Sequence, residues 1–323
     1  MKTIYRNIKN AAKVVSAVAN KTPIMTSRTL DSITGAKRVV VKCENFQRTG
    51  SFKFRGAWNC ISHIPVFERN KGIIAYSSGN FAQAVALVAK ILKLKATIVM
   101  PSNANKTKIQ ATKDYDANVV FCGNDPGDRA KMAKELALQY DYRLVHPFDD
   151  YHVIFGAGTI ALEIFKSTKL IDVLLVPVGG GGLISGCSIA AKELNPRINV
   201  IGIEPKNADD AYRSFKLGKR VPVENPDTIA DGLRTSVGEK TFPIIQKYVD
   251  DIITVTEEQI IDAMKFYWER MKLVVEPSGA VPLAGLLSGD INSSLIKNKR
   301  IGIIISGGNI DLSDFFAVLK QKI

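Results

Sequence analysis

Short apolar segments alternate with longer segments of helical periodicity over most of the chain, and this alternation constrains the fold more than any other feature. The spacing predicts strands over 73–76, 97–100, 119–121 and 144–145, separated by helices over 82–92, 106–115 and 129–140. A second series adds helices over 159–165, 183–194 and 257–271, with strands over 173–178, 200–203 and 301–305. Such alternation is typical of parallel sheets covered by helices. The sequence therefore predicts an α/β protein with two doubly wound open sheets.

The length of the chain permits one large globular unit or two modest domains, since 323 residues exceed what one hydrophobic core usually holds. The pattern is interrupted near 65–72 and near 147–155. An amphipathic helix near the start of the chain has its apolar residues on one face, namely Ile4, Ile8, Ala11, Val15 and Val18. We expect a large domain formed by 1–65 and 150–323, a small domain formed by 66–149, and a cleft between them.

Composition limits the environment and the partners. No apolar run reaches the ~18 residues of a membrane span. None of the four cysteines, Cys43, Cys60, Cys122 and Cys187, forms a C-x-x-C pair, which argues against a zinc ribbon or a redox pair. Free thiols at these spacings fit a reducing compartment. The absence of acidic residues before Asp31 is also seen in organellar transit peptides, but a cytoplasmic protein is the expectation.

The net charge of +13 favours anionic ligands such as phosphate-bearing cofactors or acidic substrates. Nucleic-acid binding would need a clustered basic patch, and the densest short cluster, over 297–300, is typical of a solvated loop. We therefore expect neither a nucleic acid nor a membrane as partner.

The stretch 49–57 contains Lys53 between Phe52 and Phe54. Aromatic neighbours remove water from an amine, which disfavours the ammonium form and lowers its pKa. A neutral amine can attack an aldehyde and hold it as a Schiff base. The alternative is a surface lysine on an amphipathic helix whose phenylalanines face the core.

Four consecutive glycines, Gly179, Gly180, Gly181 and Gly182, follow an apolar strand and precede a helix. Glycines allow close backbone approach, and the helix N-terminus adds partial positive charge, so this loop is suited to bind phosphate. The alternative is a purely structural tight turn. A phosphate-binding loop together with an activated lysine indicates pyridoxal phosphate as cofactor.

Two further turns follow predicted strands, where ligands bind in open α/β sheets. Ser77-Ser78-Gly79-Asn80 provides hydroxyls and an amide for a carboxylate and for a proton transfer, although ordinary helix capping is the alternative. In Ser306-Gly307-Gly308-Asn309, the serine can face a pyridine nitrogen. A hydroxyl leaves that nitrogen largely unprotonated, which weakens the electron sink and favours expulsion of a β leaving group.

These motifs, in this order, resemble the fold-type II pyridoxal-phosphate enzymes, and most closely the group of serine racemase, threonine dehydratase and threo-3-hydroxyaspartate dehydratase. The stretches 228–232 and 268–272 resemble serine racemase in particular. The resemblance extends from about residue 22 to residue 309. It implies the tryptophan synthase β-like architecture, with the two open sheets facing a shared cleft.

The resemblance also implies a role for each matching residue. Lys53 would be the Schiff-base lysine and one acid–base group, and Ser78 would be the second acid–base group on the opposite face. The cofactor would be bound by Phe52, Lys53, Asn80, Gly179, Gly180, Gly181, Gly182 and Ser306. The substrate side would comprise Ser77, Ser78, Arg129 and Ser236.

A divalent cation and a nucleotide are further implications of the resemblance. Glu204, the carbonyl of Ala208, and Asp210 would bind Mg²⁺, Ca²⁺ or Mn²⁺, which prefer oxygen ligands. The alternative is an acidic helix N-terminus. An ATP effector would lie near Ser27, Thr49, Gln83 and Lys272.

Three positions depart from the family pattern: Phe81 replaces a histidine, Ala157 replaces a glutamine, and Phe148 resembles the dehydratases rather than animal serine racemases. The predicted activity is dehydration, with ammonia release, and racemisation of L-serine, L-threonine or L-threo-3-hydroxyaspartate. Alternatives are serine racemisation as the main activity, β-replacement of the cysteine synthase type, or a non-catalytic nucleotide-binding module. We expect a homodimer.

Overall fold

A computed structural model describes residues 2–104, 106–125, 127–168, 170–313 and 316. The strands are β1 Ile24–Thr26, β2 Arg38–Cys43, β3 Ile73–Tyr76, β4 Ala96–Pro101, β5 Asn118–Cys122, β6 Arg143–Val145, β7 Val173–Pro177, β8 Asn199–Pro205, β9 Asp251–Val255 and β10 Arg300–Ile305. The helices are α1 Lys2–Val15, α2 Arg28–Thr34, α3 Lys53–Ser62, α4 Asn80–Leu92, α5 Lys106–Lys113, α6 Asp128–Gln139, α7 Tyr151–Thr168, α8 Gly182–Leu194, α9 Asp210–Leu217, α10 Thr241–Tyr248, α11 Glu257–Phe266 and α12 Pro277–Leu287.

The described strands form two open sheets. The larger has six strands in the order β1-β2-β10-β7-β8-β9, and only the β1–β2 pair is antiparallel. The smaller has four parallel strands in the order β5-β4-β3-β6. The predicted α/β class with two open sheets is therefore confirmed. The strands of the smaller sheet lie within 73–145, and the domain boundaries near 66 and 149 stay a prediction.

The sequence pattern placed most strands and helices but missed some. β1, β9, α2, α9, α10 and α12 had no prediction. The helix predicted over 257–271 ends at Phe266 and continues as a π-helix over Tyr267–Met271. The helix predicted over 159–165 begins eight residues earlier, at Tyr151. Its first turns contain Gly156 and Gly158, whose low helix propensity concealed it.

Those glycines have a packing reason. A Cβ at Gly156 would lie 2.5 Å from the Arg55 carbonyl oxygen, and one at Gly56 would lie 2.8 Å from the Val153 side chain. Helices α3 and α7 therefore cross with their backbones in close contact. Since α3 begins at Lys53, this crossing fixes the position of the lysine relative to the segment that precedes α7.

A buried ionic network, comprising Lys42, Glu44, Arg55 and Glu163, joins the same elements. The Nε and Nη2 atoms of Arg55 donate to the Glu44 carboxylate at 2.8 and 2.9 Å, and Nη1 donates to Glu163 at 2.6 Å. Lys42 Nζ donates to Glu163 at 2.6 Å and to the Thr22 carbonyl at 2.8 Å. Burial opposes the charge of Arg55, but Glu44 and Glu163 outweigh it and raise the pKa of Arg55 above its usual value. The network connects β2, α3 and α7.

No helix within the described ranges is long and apolar enough to cross a membrane.

Candidate active site

A cleft lies between the two sheets, where β3 and β7 end and α3, α4 and α8 begin. It is lined by nearly all the residues that the sequence predicted for the cofactor and the substrate. From the predicted set these are Phe52, Lys53, Ser77, Ser78, Asn80, Arg129, Gly179, Gly180, Gly181, Gly182 and Ser306. Ligands of open α/β sheets bind at this end of the strands, so the placement agrees with the position expected for a binding site.

Lys53 is half-buried at the first position of α3. Its Nζ atom lies 5.1 Å from the centre of the Phe52 ring and 5.7 Å from that of Phe81, and it donates to the Pro147 carbonyl at 3.1 Å. Burial lowers the pKa of this amine to about 8, although the charge of Glu276 partly opposes the shift. The uncharged fraction of this amine near neutral pH is thus larger than that of an ordinary lysine, which favours its use as a nucleophile or base.

The aromatic wall of Lys53 differs from the prediction in one member. Phe54 is fully buried and stacks with Trp58, with ring centres 6.1 Å apart, in the core beneath the smaller sheet. Neighbouring residues of a helix point about 100° apart, so Phe54 cannot face the same side as Lys53. The second ring beside the lysine is Phe81, from the start of α4.

The glycine loop connects β7 to α8. Gly181 has a φ of 87°, which only glycine adopts readily, and no side chain in the described part of the chain caps α8. A Cβ at Gly180 would lie 2.4 Å from the Phe148 ring. The loop therefore needs glycine for close packing, and it leaves the first N–H groups of α8 available for an anion.

Glu276 is a site residue that the sequence analysis missed. It is 3% exposed and accepts hydrogen bonds from Asn80 Nδ2 at 2.8 and 3.0 Å and from the Asn309 N–H at 3.2 Å. Asn309 Nδ2 in turn donates to Asn80 Oδ1 at 2.9 Å. Burial and the charge of Asp231 raise the pKa of Glu276 to about 7. In the sequence it precedes Pro277 at a helix start, which resembles an ordinary acidic cap.

The turn 77–80 faces the open side of the cleft. Ser78 Oγ accepts a hydrogen bond from Arg129 Nη1 at 3.2 Å, and Ser77 Oγ accepts one from the Gly79 N–H at 3.2 Å. Lys108 of α5 forms an ion pair with Asp231 across the cleft. The sequence analysis missed Lys108 and Asp231, because each is an ordinary charged residue within its own segment.

Ser306 and Ser236 lie in different surroundings. Ser306 is 4% exposed and lines the cleft, and its carbonyl accepts from the Phe52 N–H at 2.9 Å. Ser236 is not among the lining residues, and its Oγ accepts from the Val223 N–H at 2.9 Å. The neighbouring Thr235 lines the cleft instead. Thr235 and Ser236 are consecutive and only Thr235 lines the cleft, so the resemblance at the single position 236 did not identify the lining residue.

The loop after β8 has two buried carboxylates. Glu204 accepts from the N–H groups of Ala211 and Tyr212 at 3.1 and 2.8 Å, and Asp210 Oδ2 accepts from the Val237 N–H at 2.9 Å. Asp210 Oδ1 is buried without a hydrogen-bond partner. Burial raises the pKa of Asp210 to about 7 and that of Glu204 well above its usual value. Within the described ranges, no group of three or more histidine, cysteine or acidic side chains is arranged to hold a metal.

The residues predicted for a nucleotide are dispersed over several elements. Ser27 caps α2 by accepting from the Leu30 N–H at 3.3 Å, and Gln83 is 7% exposed within α4. Thr49 and Lys272 both have a φ of 58°. The nucleotide site stays a prediction.

Comparisons with known proteins agree with this geometry. Residues 15–307 match the family model described as pyridoxal-phosphate dependent enzyme. The chain is 44% identical to L-threo-3-hydroxyaspartate ammonia-lyase of a Pseudomonas species over 98% of each chain. It is 44% identical to serine racemase of Schizosaccharomyces pombe, over 98% of this chain and 97% of the relative. The structure of maize serine racemase superposes with a TM-score of 0.93 at 39% identity, covering 98% of this chain and 97% of the other.

Proposed function

Since the chain belongs to the family of pyridoxal-phosphate dependent enzymes, we propose that it dehydrates small L-β-hydroxy amino acids and releases ammonia. The observation that carries this proposal is the pairing in one cleft of the half-buried Lys53 amine with the Ser78 hydroxyl, which Arg129 holds in place. Lys53 would take a proton from the substrate, and Ser78 would face the opposite side of the bound substrate.

The cleft residues fit the cofactor. The glycine loop with its unused helix N–H groups suits the phosphate, and Lys53 suits the aldehyde carbon. Asn80 would contact the ring hydroxyl, Phe52 would pack beside the ring, and Ser306 would face the ring nitrogen. When bound, pyridoxal phosphate supplies an electron sink for the pair left at the substrate α-carbon.

Lys53 would remove the α-proton, because its lowered pKa increases the fraction of uncharged amine at neutral pH. Loss of the β-hydroxyl together with a proton then forms water. Hydrolysis of the released enamine consumes one water, which balances the water lost. The net products are therefore one 2-keto acid and one ammonia. The three phenylalanines that line the cleft, Phe52, Phe81 and Phe148, would restrict access of water during this sequence.

Racemisation is a second candidate, and the Arg129–Ser78 hydrogen bond favours it. Inversion requires a proton to be delivered to the face opposite Lys53. A serine hydroxyl is a weak acid, but the guanidinium beside Ser78 Oγ stabilises the negative charge that develops as the proton leaves. The relative from Schizosaccharomyces pombe bears the name serine racemase, and the Pseudomonas relative is named for an ammonia-lyase.

A substrate panel with Ser78→Ala tests both activities. L-Serine, L-threonine and L-threo-3-hydroxyaspartate are supplied to both proteins, and 2-keto acids and the separated enantiomers are quantified. We expect keto acid to form faster than D-serine in the wild type. In Ser78→Ala, D-serine formation should fall ~10²-fold or more, while keto-acid formation falls less than ~10-fold.

Each competing function gives a different outcome. Equal loss of both products would remove the proposed separation of roles, and faster D-serine than pyruvate formation would make racemisation the main activity. Consumption of sulfide or another nucleophile with the β-hydroxy substrate would favour β-replacement. Absence of both products, together with no visible absorption from bound cofactor, would favour a non-catalytic nucleotide-binding module.

We also propose a divalent cation, Mg²⁺, Ca²⁺ or Mn²⁺, bound by Glu204, the Ala208 carbonyl, and Asp210. The unpartnered buried Asp210 Oδ1 supports this, since an uncompensated buried carboxylate is costly. Removing metal with a chelator should lower the melting temperature, and Mg²⁺ or Ca²⁺ should restore it. Asp210→Asn should abolish that response, and a melting temperature independent of chelator would exclude the site.

Assembly, location and regulation stay predictions. We expect a homodimer in the cytoplasm, and an ATP effector near Ser27, Thr49, Gln83 and Lys272. Light scattering and equilibrium binding of ATP are the direct measurements.

A further inference from the structure

His146 follows β6 and lies beside the cleft without lining it. Its Nδ1 atom is within hydrogen-bond distance of two backbone N–H groups, at 3.3 Å from that of Phe148 and 2.9 Å from that of Asp149. An imidazole nitrogen that accepts must be unprotonated, so the ring is neutral, with its hydrogen on Nε2. Burial lowers the pKa of His146 to about 4, which agrees with the neutral form.

The turn that His146 holds, residues 147–149, contacts Lys53, the glycine loop and the start of α10. The Pro147 carbonyl accepts from Lys53 Nζ at 3.1 Å, and the Phe148 ring packs against Gly180. The Asp149 carboxylate accepts from three N–H groups at the start of α10, those of residues 239, 240 and 241, at 2.8–3.1 Å. The side chain of Thr241 in turn donates to the Gly180 carbonyl at 2.8 Å. One turn therefore connects the lysine with the phosphate-binding loop.

The imidazole also contacts an aromatic ring of the smaller sheet. The Tyr76 ring meets it edge to face, with ring centres 5.5 Å apart, and the Phe148 ring does so at 4.8 Å. Tyr76 is the last residue of β3, directly before the Ser77-Ser78 turn. Burial raises the pKa of Tyr76 to about 12, so this contact carries no charge. His146 thus lies at a junction between the substrate turn, the lysine and the glycine loop.

We propose that His146 is a positioning residue, which acts through the 147–149 turn to hold the Lys53 amine in line with the glycine loop. The Pro147 carbonyl is the one hydrogen-bond acceptor seen for Lys53 in the described part of the chain. Its direction depends on a turn whose two following N–H groups are both bound by the imidazole. This inference rests on the proposed role of Lys53, and misplacement of a reacting group by about 1 Å can cost ~10²-fold in rate.

Two substitutions separate the acceptor from the volume of the ring. In His146→Asn, the amide oxygen stands close to the place of Nδ1 and can accept the same two bonds, whereas His146→Leu fills the space without an acceptor. His152→Leu, at an exposed histidine outside the cleft lining, serves as the matched control. All three are prepared as holoenzymes.

The readouts are kcat, KM, and the pH midpoint of the visible absorption of the cofactor bound to Lys53. In His146→Leu we expect kcat to fall ~10- to 100-fold, KM to change less than ~3-fold, and the midpoint to shift by at least half a pH unit. His146→Asn should restore kcat to within ~3-fold of the wild type, and His152→Leu should match the wild type.

A His146→Leu enzyme with wild-type kcat and an unchanged midpoint would overturn the proposal, even if its melting temperature fell. Failure of His146→Asn to restore kcat would overturn it as well. If His146→Leu does not fold, His146→Gln is tested instead, because it displaces the acceptor by one methylene. A wild-type kcat and an unchanged midpoint in His146→Gln would then overturn the proposal. Because the absorption midpoint is measured without substrate, an error in the proposed substrate class leaves this test intact.

Discussion

Lys42 and Lys53 lie eleven positions apart in the sequence and both are withdrawn from the surface, Lys42 fully and Lys53 by about half, but their surroundings differ. Lys42 is 1% exposed, and its ammonium contacts the Glu163 carboxylate at 2.6 Å and the Thr22 carbonyl at 2.8 Å. Lys53 has aromatic rings and one proline carbonyl around it, and no carboxylate within ion-pair distance in the described part of the chain. The first lysine is compensated, and the second is left reactive.

The difference shows that the charged partners of a buried lysine, more than its depth, determine whether it stays an ammonium ion or becomes a reactive amine. A buried ion pair contributes little net stability, because desolvation offsets most of the attraction, but losing one partner is costly. A buried amine without a carboxylate partner instead loses its proton readily. Lys42 therefore serves the geometry of β2, α3 and α7, and Lys53 is suited to the proposed chemistry at the start of α3.

The largest expected effect comes from Lys53. We expect Lys53→Ala to lower keto-acid formation ~10³-fold or more, because it removes the group proposed to bind the cofactor and to move the proton. Its melting temperature without cofactor should stay the same or rise, since no ion pair is lost. Activity assays and thermal unfolding of the same preparation measure both. Retention of full turnover would contradict the assignment of Lys53.

Lys42 should behave in the opposite way. Lys42→Met leaves Arg55 as the single cation for Glu44 and Glu163, so we expect a loss of about 3–5 kcal/mol in the free energy of unfolding. Urea unfolding of the cofactor-free protein measures it.

The control combines Lys42→Met with Glu163→Gln, which restores the charge balance and should recover part of the loss. A cost below about 1 kcal/mol for Lys42→Met alone would mean that the network does not depend on this cation.

The smallest expected effect is a pH dependence. The folded-state pKa of Lys53 is lowered to about 8 from 10.5, so between these values the folded protein binds fewer protons than the unfolded chain, and its stability rises with pH. The difference in melting temperature between the wild type and Lys53→Met, both without cofactor, should therefore shift in favour of the wild type between pH 8 and 10.5. A difference that is flat across this range would contradict the lowered pKa.

Sequence reasoning located the site residues that belong to local motifs. Lys53, the glycine loop and the serine turns each stand at a boundary between a strand and a helix, where the pattern itself changes. The sequence predicts Phe54 beside Lys53, but the second ring there is Phe81. Periodicity indicates which way a side chain points on its own helix, but it does not show which ring of another helix packs against it.

The contacts between distant segments could not be read in the same way. Glu276 becomes a site residue only because α12 brings it against Asn80 of α4. The network of Lys42, Glu44, Arg55 and Glu163 requires β2, α3 and α7 to be placed together, and each of its residues looks ordinary in its own segment. The sequence predicts a shorter α7 than the structure has, because its glycines lower the helix propensity. They are explained by close packing against α3.

The strand order has a consequence for synthesis on the ribosome. β2 pairs in parallel with β10, with Val41 beside Ile303, so the larger sheet joins the first part of the chain to the last strand in its described part. The smaller sheet, by contrast, has all its strands once residue 145 has emerged. Until translation reaches β10, the apolar edges of β2 and β7 have no partner, and unpaired edges of this kind promote aggregation. A ribosome that stalls late in the message would therefore release a chain that contains Lys53 and the glycine loop but cannot close the sheet that brings them together.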